Sequence, residues 1–231
     1  SADNLLAVNA QIRKQFAADN GPENLDTVSD LQAKVGLAND AITYVVSVGA
    51  PQTSAPQSVG VGGSGISEAD QLAAYVAAGV TGVTADNLLA VNAQLRLETD
   101  GGSKDSVSDI QAIVVKANTA LAKIENFAQV DTALSVADYE AVGVSGVDDT
   151  ADSDNLAAVN AQVLLAAAGG ADSVAEIQAL VSAGNNAITY LTTTVQLLTN
   201  TTGSLDEAAQ LAAYAAAGVT GVSADNLLAV N

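Results

Sequence analysis

The sequence predicts an all-α protein of tandem three-helix bundles, about three to a 222-residue period, joined by short or Gly/Ser/Pro-rich linkers. Three observations predict it. The nonapeptide SADNLLAVN stands at 1–9 and again at 223–231. Altered copies begin at Thr84 and Asp152, so that Asp-Asn pairs start at positions 3, 86, 154 and 225, in steps of 83, 68 and 71. Between these copies, apolar residues recur at helical spacing and are punctuated by helix-start and helix-stop residues.

The first element of each unit carries a Tyr followed by Gly-Val-x-Gly-Val: YVAAGVTGV from Tyr75, YEAVGVSGV from Tyr139 and YAAAGVTGV from Tyr214. Upstream, Ser67 precedes Asp70, Ser135 precedes Asp138 and Ser204 precedes Glu207, each by three residues, the pattern of a helix start. The spacing predicts a short helix ending at Gly79, Gly143 or Gly218, where a left-handed residue caps the carbonyl end and a tight turn reverses the chain. The three tyrosines are expected as half-buried anchors.

The second element is the ADNLLAVN helix. In the copy at 84, Thr84 is the expected N-cap, and Val83 packs on Leu88 as a hydrophobic staple. Leu88, Val91 and Leu95 form one apolar stripe. Asn9, Asn92, Asn160 and Asn231 recur inside this helix, with Asn4, Asn87, Asn155 and Asn226 near its start. Asn is a poor helix former, so its recurrence needs a reason. Two readings stand: a hydrogen bond that fixes register, or a row of outward amides for contacts between chains.

The third element begins DTVSDLQ at Asp26, DSVSDIQ at Asp105 and DSVAEIQ at Asp172. Its apolar positions are Val28, Leu31, Val35, Ala38, Ile42 and Val45, then Val107, Ile110, Val114, Ala117, Leu121 and Ile124, then Val174, Ile177, Val181, Gly184, Ile188 and Leu191. All three step 3, 4, 3, 4, 3, a seam of about 27 Å along a helix. The fourth position is small in every copy, so a neighbouring helix should approach closest there.

Three helices with one stripe each bury those stripes together. The expected bundles span 67–129 and 133–200. A third is split, with its second and third helices in 1–47 and its first helix and the start of its second in 204–231. The segment 48–66 is rich in Gly, Ser and Pro and is expected as a flexible linker. No Gly or Pro lies between Ser103 and Val142, so a stiff joint is expected there. The Thr-rich stretch from Leu191 to Ser204 also suits an extended segment.

Composition excludes several partners. The net charge of −19, from 26 acidic against 7 basic residues, repels nucleic acid and anionic lipid. The longest nearly apolar run, Leu211 to Val222, is broken by two Gly and a Thr and is too short for membrane insertion. With no Cys and no His, disulfides, thiolate metal sites and the commonest general base are missing. No pair of carboxylates sits on an apolar background, so the expectation is not an enzyme, and no cofactor is expected. The loop with Asp148, Asp149, Asp152 and Asp154 offers oxygen ligands of the kind calcium takes, but it lacks EF-hand spacing. A solvated loop before a helix N-terminus is its leading reading.

The Tyr-x-x-x-Gly-Val segment, the capped Asn-Leu helix and the DSVxEIQ helix, in that order, resemble the GA module, a three-helix bundle found in tandem on bacterial surface proteins. They also resemble the repeats of giant bacterial adhesin-like proteins. The resemblance implies an extracellular, surface-displayed array. The expected function is a structural segment of a fibre or adhesin stalk, with successive periods or copies of itself as partners. The alternative is an array of binding modules, each capturing a host or environmental protein.

Overall fold

A computed structural model describes residues 4–19, 27–48, 67–99, 104–127, 133–151, 153–166, 169–195 and 206–230. Among these, every regular element is helical, as the sequence predicts, and there is no strand. In chain order the helices are α1 (Leu5–Asp19), α2 (Val28–Val48), α3 (Glu68–Ala77), α4 (Ala85–Leu97) and α5 (Val107–Glu125). They continue with α6 (Val136–Ala141), α7 (Leu156–Leu165), α8 (Val174–Tyr190), α9 (Glu207–Ala216) and α10 (Leu227–Val230). Of the expected linker 48–66, Val48 is the last residue of α2 and 49–66 lie outside the described residues, as does the Thr-rich stretch beyond Val195. The described part of that stretch, Leu191–Val195, is a π-helical turn that prolongs α8. Thr192 and Thr193 donate to the carbonyls of Ile188 and Thr189, which fastens these β-branched residues to the helix.

Helix starts follow local hydrogen bonding. Ser67 accepts from the Asp70 amide at 3.2 Å, and Ser106 accepts from the Asp109 amide at 3.2 Å. Ser173 and Glu176 close a reciprocal box at 3.3 and 3.2 Å. Thr84 opens α4 as expected, but its box is closed by Asn87, whose Oδ1 accepts from the Thr84 amide at 2.8 Å. The start of α9 differs from the expected Ser204, which lies outside the described residues. Asp206 caps the helix, accepting from the Ala208 amide at 3.3 Å. An Asp caps as well as a Ser and adds negative charge at the positive end of the helix dipole.

Helices α3 and α9 end in a Schellman motif. The amides of Gly79 and Val80 return to the carbonyls of Val76 and Tyr75, and those of Gly218 and Val219 to Ala215 and Tyr214, all at 2.9 to 3.0 Å. Val144 bonds to Tyr139 in the same way after α6, at 3.0 Å. The joint expected to be stiff contains two separate helices, since α5 stops at Glu125 and α6 starts at Val136.

Two compact units emerge from the contacts: Ser1–Thr119 with Ala141–Gly143, and Ala120–Glu140 with Val144–Asn231. In the first, α1 packs along α2, and α3 seats on both and adjoins α4. The seam of α5 is buried throughout, from Val107 to Ile124. In the second, α7 packs along α8, and α9 rests on both. Val174, Ile177 and Val181 are buried on α8. Gly184 lies so close to α7 that a Cβ there would stand 3.1 Å from the carbonyl carbon of Ala158, matching the predicted close approach at the fourth seam position.

Candidate functional site: a repeated helix joint

The last turn of an α-helix leaves carbonyls without intrahelical partners. Three times, a glutamine supplies the missing donor. Gln11 on α1 donates to Ala77 O at 2.6 Å, Gln94 on α4 to Ala141 O at 2.6 Å, and Gln162 on α7 to Ala216 O at 2.6 Å. Each Gln stands seven residues after the Asn of an Asp-Asn pair, and each acceptor two residues before a Gly. These three contacts are one contact, copied.

Each glycine explains itself twice. Gly79, Gly143 and Gly218 have φ of +81°, +80° and +74°, the left-handed region that other residues avoid. They also let two backbones meet. A Cβ on Gly79 would lie 2.9 Å from Leu6 O, one on Gly143 3.0 Å from Ala93 Cβ and 3.3 Å from Leu89 O, and one on Gly218 2.5 Å from Ala157 O. Leu6, Leu89 and Ala157 occupy the same place, two residues after the Asn. The contacts made by Ala141 and Gly143 explain why these residues group with the first unit.

Between α3 and α4, and again between α6 and α7, a second set of bonds repeats. Tyr75 is fully buried, and its hydroxyl donates to Asn92 Oδ1 at 2.7 Å, while Asn92 Nδ2 donates to Gln71 Oε1 at 2.9 Å. Tyr139 is equally buried and donates to Asn160 Oδ1 at 2.6 Å. Burial pushes the hydroxyl of Tyr75 far above its ordinary range, with a small opposing pull from Arg96; burial and the charge of Asp138 do the same to Tyr139. Both phenols therefore stay neutral donors. The expectation of half-buried anchors fits only Tyr214, which is partly exposed.

The Gly-Val-x-Gly-Val turn is clamped from both sides. Asn87 Nδ2 reaches Gly82 O at 2.8 Å and Asn118 Oδ1 at 2.7 Å; Asn155 Nδ2 reaches Gly146 O at 2.7 Å and Asn185 Oδ1 at 2.6 Å. Gln111 exchanges bonds with the Thr81 backbone at 3.0 and 2.9 Å, and Gln178 with the Ser145 backbone at 3.1 and 2.9 Å. The recurring Asn residues on α4 and α7 thus point inward and fix register.

The acidic loop is organised by its own hydrogen bonds. Asp148 accepts from the Thr150 amide at 2.8 Å and the Ser153 hydroxyl at 2.5 Å. These bonds, Ser153 first, hold its carboxyl below the ordinary range. Asp154 accepts from the Leu156 amide at 3.2 Å, Asp149 is exposed, and Asp152 lies outside the described residues. Among the described residues no group of three potential metal ligands gathers. A groove of about 780 Å³ runs between α1 and α3, walled by Ala10, Ala73, Val76 and Val80 with exposed Arg13 and Lys14 at its edge. Among the described residues no buried polar side-chain atom lacks a partner, so none is left aimed into that groove.

The role of the Gln residues was missed in the sequence, although Asn-Ala-Gln recurs at 9–11, 92–94 and 160–162 and was there to be found. No family model, no curated protein and no solved structure matches this chain.

Proposed function

We propose that this chain is a structural segment of a long extracellular tandem-repeat fibre or adhesin stalk, displayed at a bacterial surface, in which three-helix bundles repeat with a period of 222 residues. In this reading α3–α5 form one bundle over 67–129 and α6–α8 a second over 133–200, while 1–47 and 204–231 each hold part of a third. The partners in this reading are successive periods or copies of the chain itself, as the repeated nonapeptide suggests, and display at a surface is what the GA-module resemblance implies. One observation carries the reading: the Gln-to-carbonyl joint recurs at three equivalent places with the same 2.6 Å bond. Catalysis needs one site of its own geometry, whereas a stalk gains length by copying one contact. Electron microscopy of the native material tests this. The expected result is a filament whose axial repeat holds three bundles; separate globular particles without an axial repeat would overturn it.

A further inference from the structure

Equivalent positions of the three repeats differ sharply in burial. On α5, Val107 and Ile110 are both 0% exposed, and on α4 Leu88 is 2% exposed. The matching residues on α2 and α1 are Val28 at 82%, Leu31 at 43% and Leu5 at 57%. Sequence does not explain the difference, because the side chains are the same or nearly so. The open face is confined to the N-terminal half of α2 and the start of α1. Further along α2, Ala38, Ile42 and Val45 are buried.

What lies over this face elsewhere is the turn after the first helix. Thr81 pairs its backbone with Gln111, and a Cβ on Gly82 would touch Val114 Cγ1 at 3.8 Å. Ser145 pairs with Gln178, and Gly146 faces Val181 Cγ1 at the same 3.8 Å. The chain holds a third turn of this kind, Gly218 to Val222, and its outer side is open. Val219 is 42% exposed, against 3% for both Val80 and Val144. Nothing lies within 4 Å of where a Cβ on Gly221 would stand. Thr220 and Gln32, the counterparts of the Thr81–Gln111 pair, are both exposed.

We infer that the segment 206–222 of one copy docks on the open face of α1 and α2 of a second copy, where the second copy's residues 4–9 replace the identical residues 226–231 beside the turn. Asn4, which already holds Asn39 as Asn87 holds Asn118, takes over the bond that Asn226 makes to Gly221 O. Val219 and Gly221 cover Val28, Leu31 and Val35, and the Thr220 backbone pairs with Gln32. The segment is free to do this while held in its own copy, because its inner side, through Ala216 and Gly218, already rests on α7. Helix α3 is used in both directions in the same way. Its Gly79 and Ala77 meet α1, while its Tyr75 and Thr81 meet α4 and α5. The inference rests on the proposed fibre and names its head-to-tail contact.

The chain has no cysteine, so single thiols can be placed at will. Chains carrying Ser29→Cys, at an exposed position one turn before Gln32, and chains carrying Thr220→Cys are mixed and treated with a short bismaleimide, and association is followed by analytical ultracentrifugation. The expected result is cross-linked dimer only when both variants are present, with mass rising with concentration. Adding Val28→Asp and Leu31→Asp to the first variant, or Val219→Asp to the second, should lower dimer yield by about tenfold or more, since each buries an unpaired carboxylate. Circular dichroism checks that helix content is kept in each. A chain that stays monomeric at all concentrations, or dimers indifferent to both sets of substitutions, would overturn the contact. Filaments in the native material alongside such a result would leave the fibre standing and remove only this joint.

Discussion

At the scale of the residue, the buried Tyr–Asn pair shows why Asn is kept inside helices that it weakens. Its amide both accepts from Tyr75 and donates to Gln71, and a leucine of similar size does neither. Tyr75→Phe should cost about 1 kcal/mol, the worth of one net hydrogen bond. Asn92→Leu should cost about 2–3 kcal/mol, because the phenol is then buried without its acceptor; urea titration measures both. The pH dependence has a definite sign. Because the folded state raises the pKa of Tyr75 and Tyr139, the unfolded chain ionises first. Their contribution is intact below about pH 10 and falls as pH rises towards the folded values. Replacing both by Phe should flatten that alkaline loss. Sequence alone left the direction of the Asn side chains open, since an amide suits either face of a helix until its partner is placed.

At the scale of the element, helix existence and the seam were legible because they are local. Period, caps and C-terminal glycines all act within a few residues. The seam of α5 follows the predicted register along its whole length. What the pattern did not carry was the identity of the cap at α9 and the Asn that closes the box at α4, where several polar residues compete for one role. The glycines of the turn allow a sharper test. Gly218 and Gly221 share a positive φ, but a Cβ on the first meets Ala157 O at 2.5 Å, while the second faces open space. Gly221→Ala should therefore cost about 1 kcal/mol, from backbone conformation alone. Gly218→Ala should cost more than twice as much and should separate α9 from α7. Equal costs in thermal melts would mean that the close approach contributes nothing.

At the scale of the molecule, near-identical sequence stands in unequal surroundings, and that inequality was beyond any sequence pattern. Residues 71–83 and 210–222 differ only at Val76 and Ala215. Yet Tyr75 and Val80 are buried, whereas Tyr214 is partly exposed and Val219 is open. Intrinsic amide exchange depends on local sequence, which is almost the same here, so any difference in protection reports packing. Hydrogen exchange of the dilute chain should find the amides of α3 and its turn slower than those of α9 and its turn. Raising the concentration should then slow exchange in two places together, the turn 218–222 and the first two turns of α2, because docking covers both. Slowing of one without the other would mean that the two faces do not meet. Equal protection of the two segments at low concentration would mean that the second side of the first helix adds no stability. In that case the repeat would lengthen the chain without coupling its units.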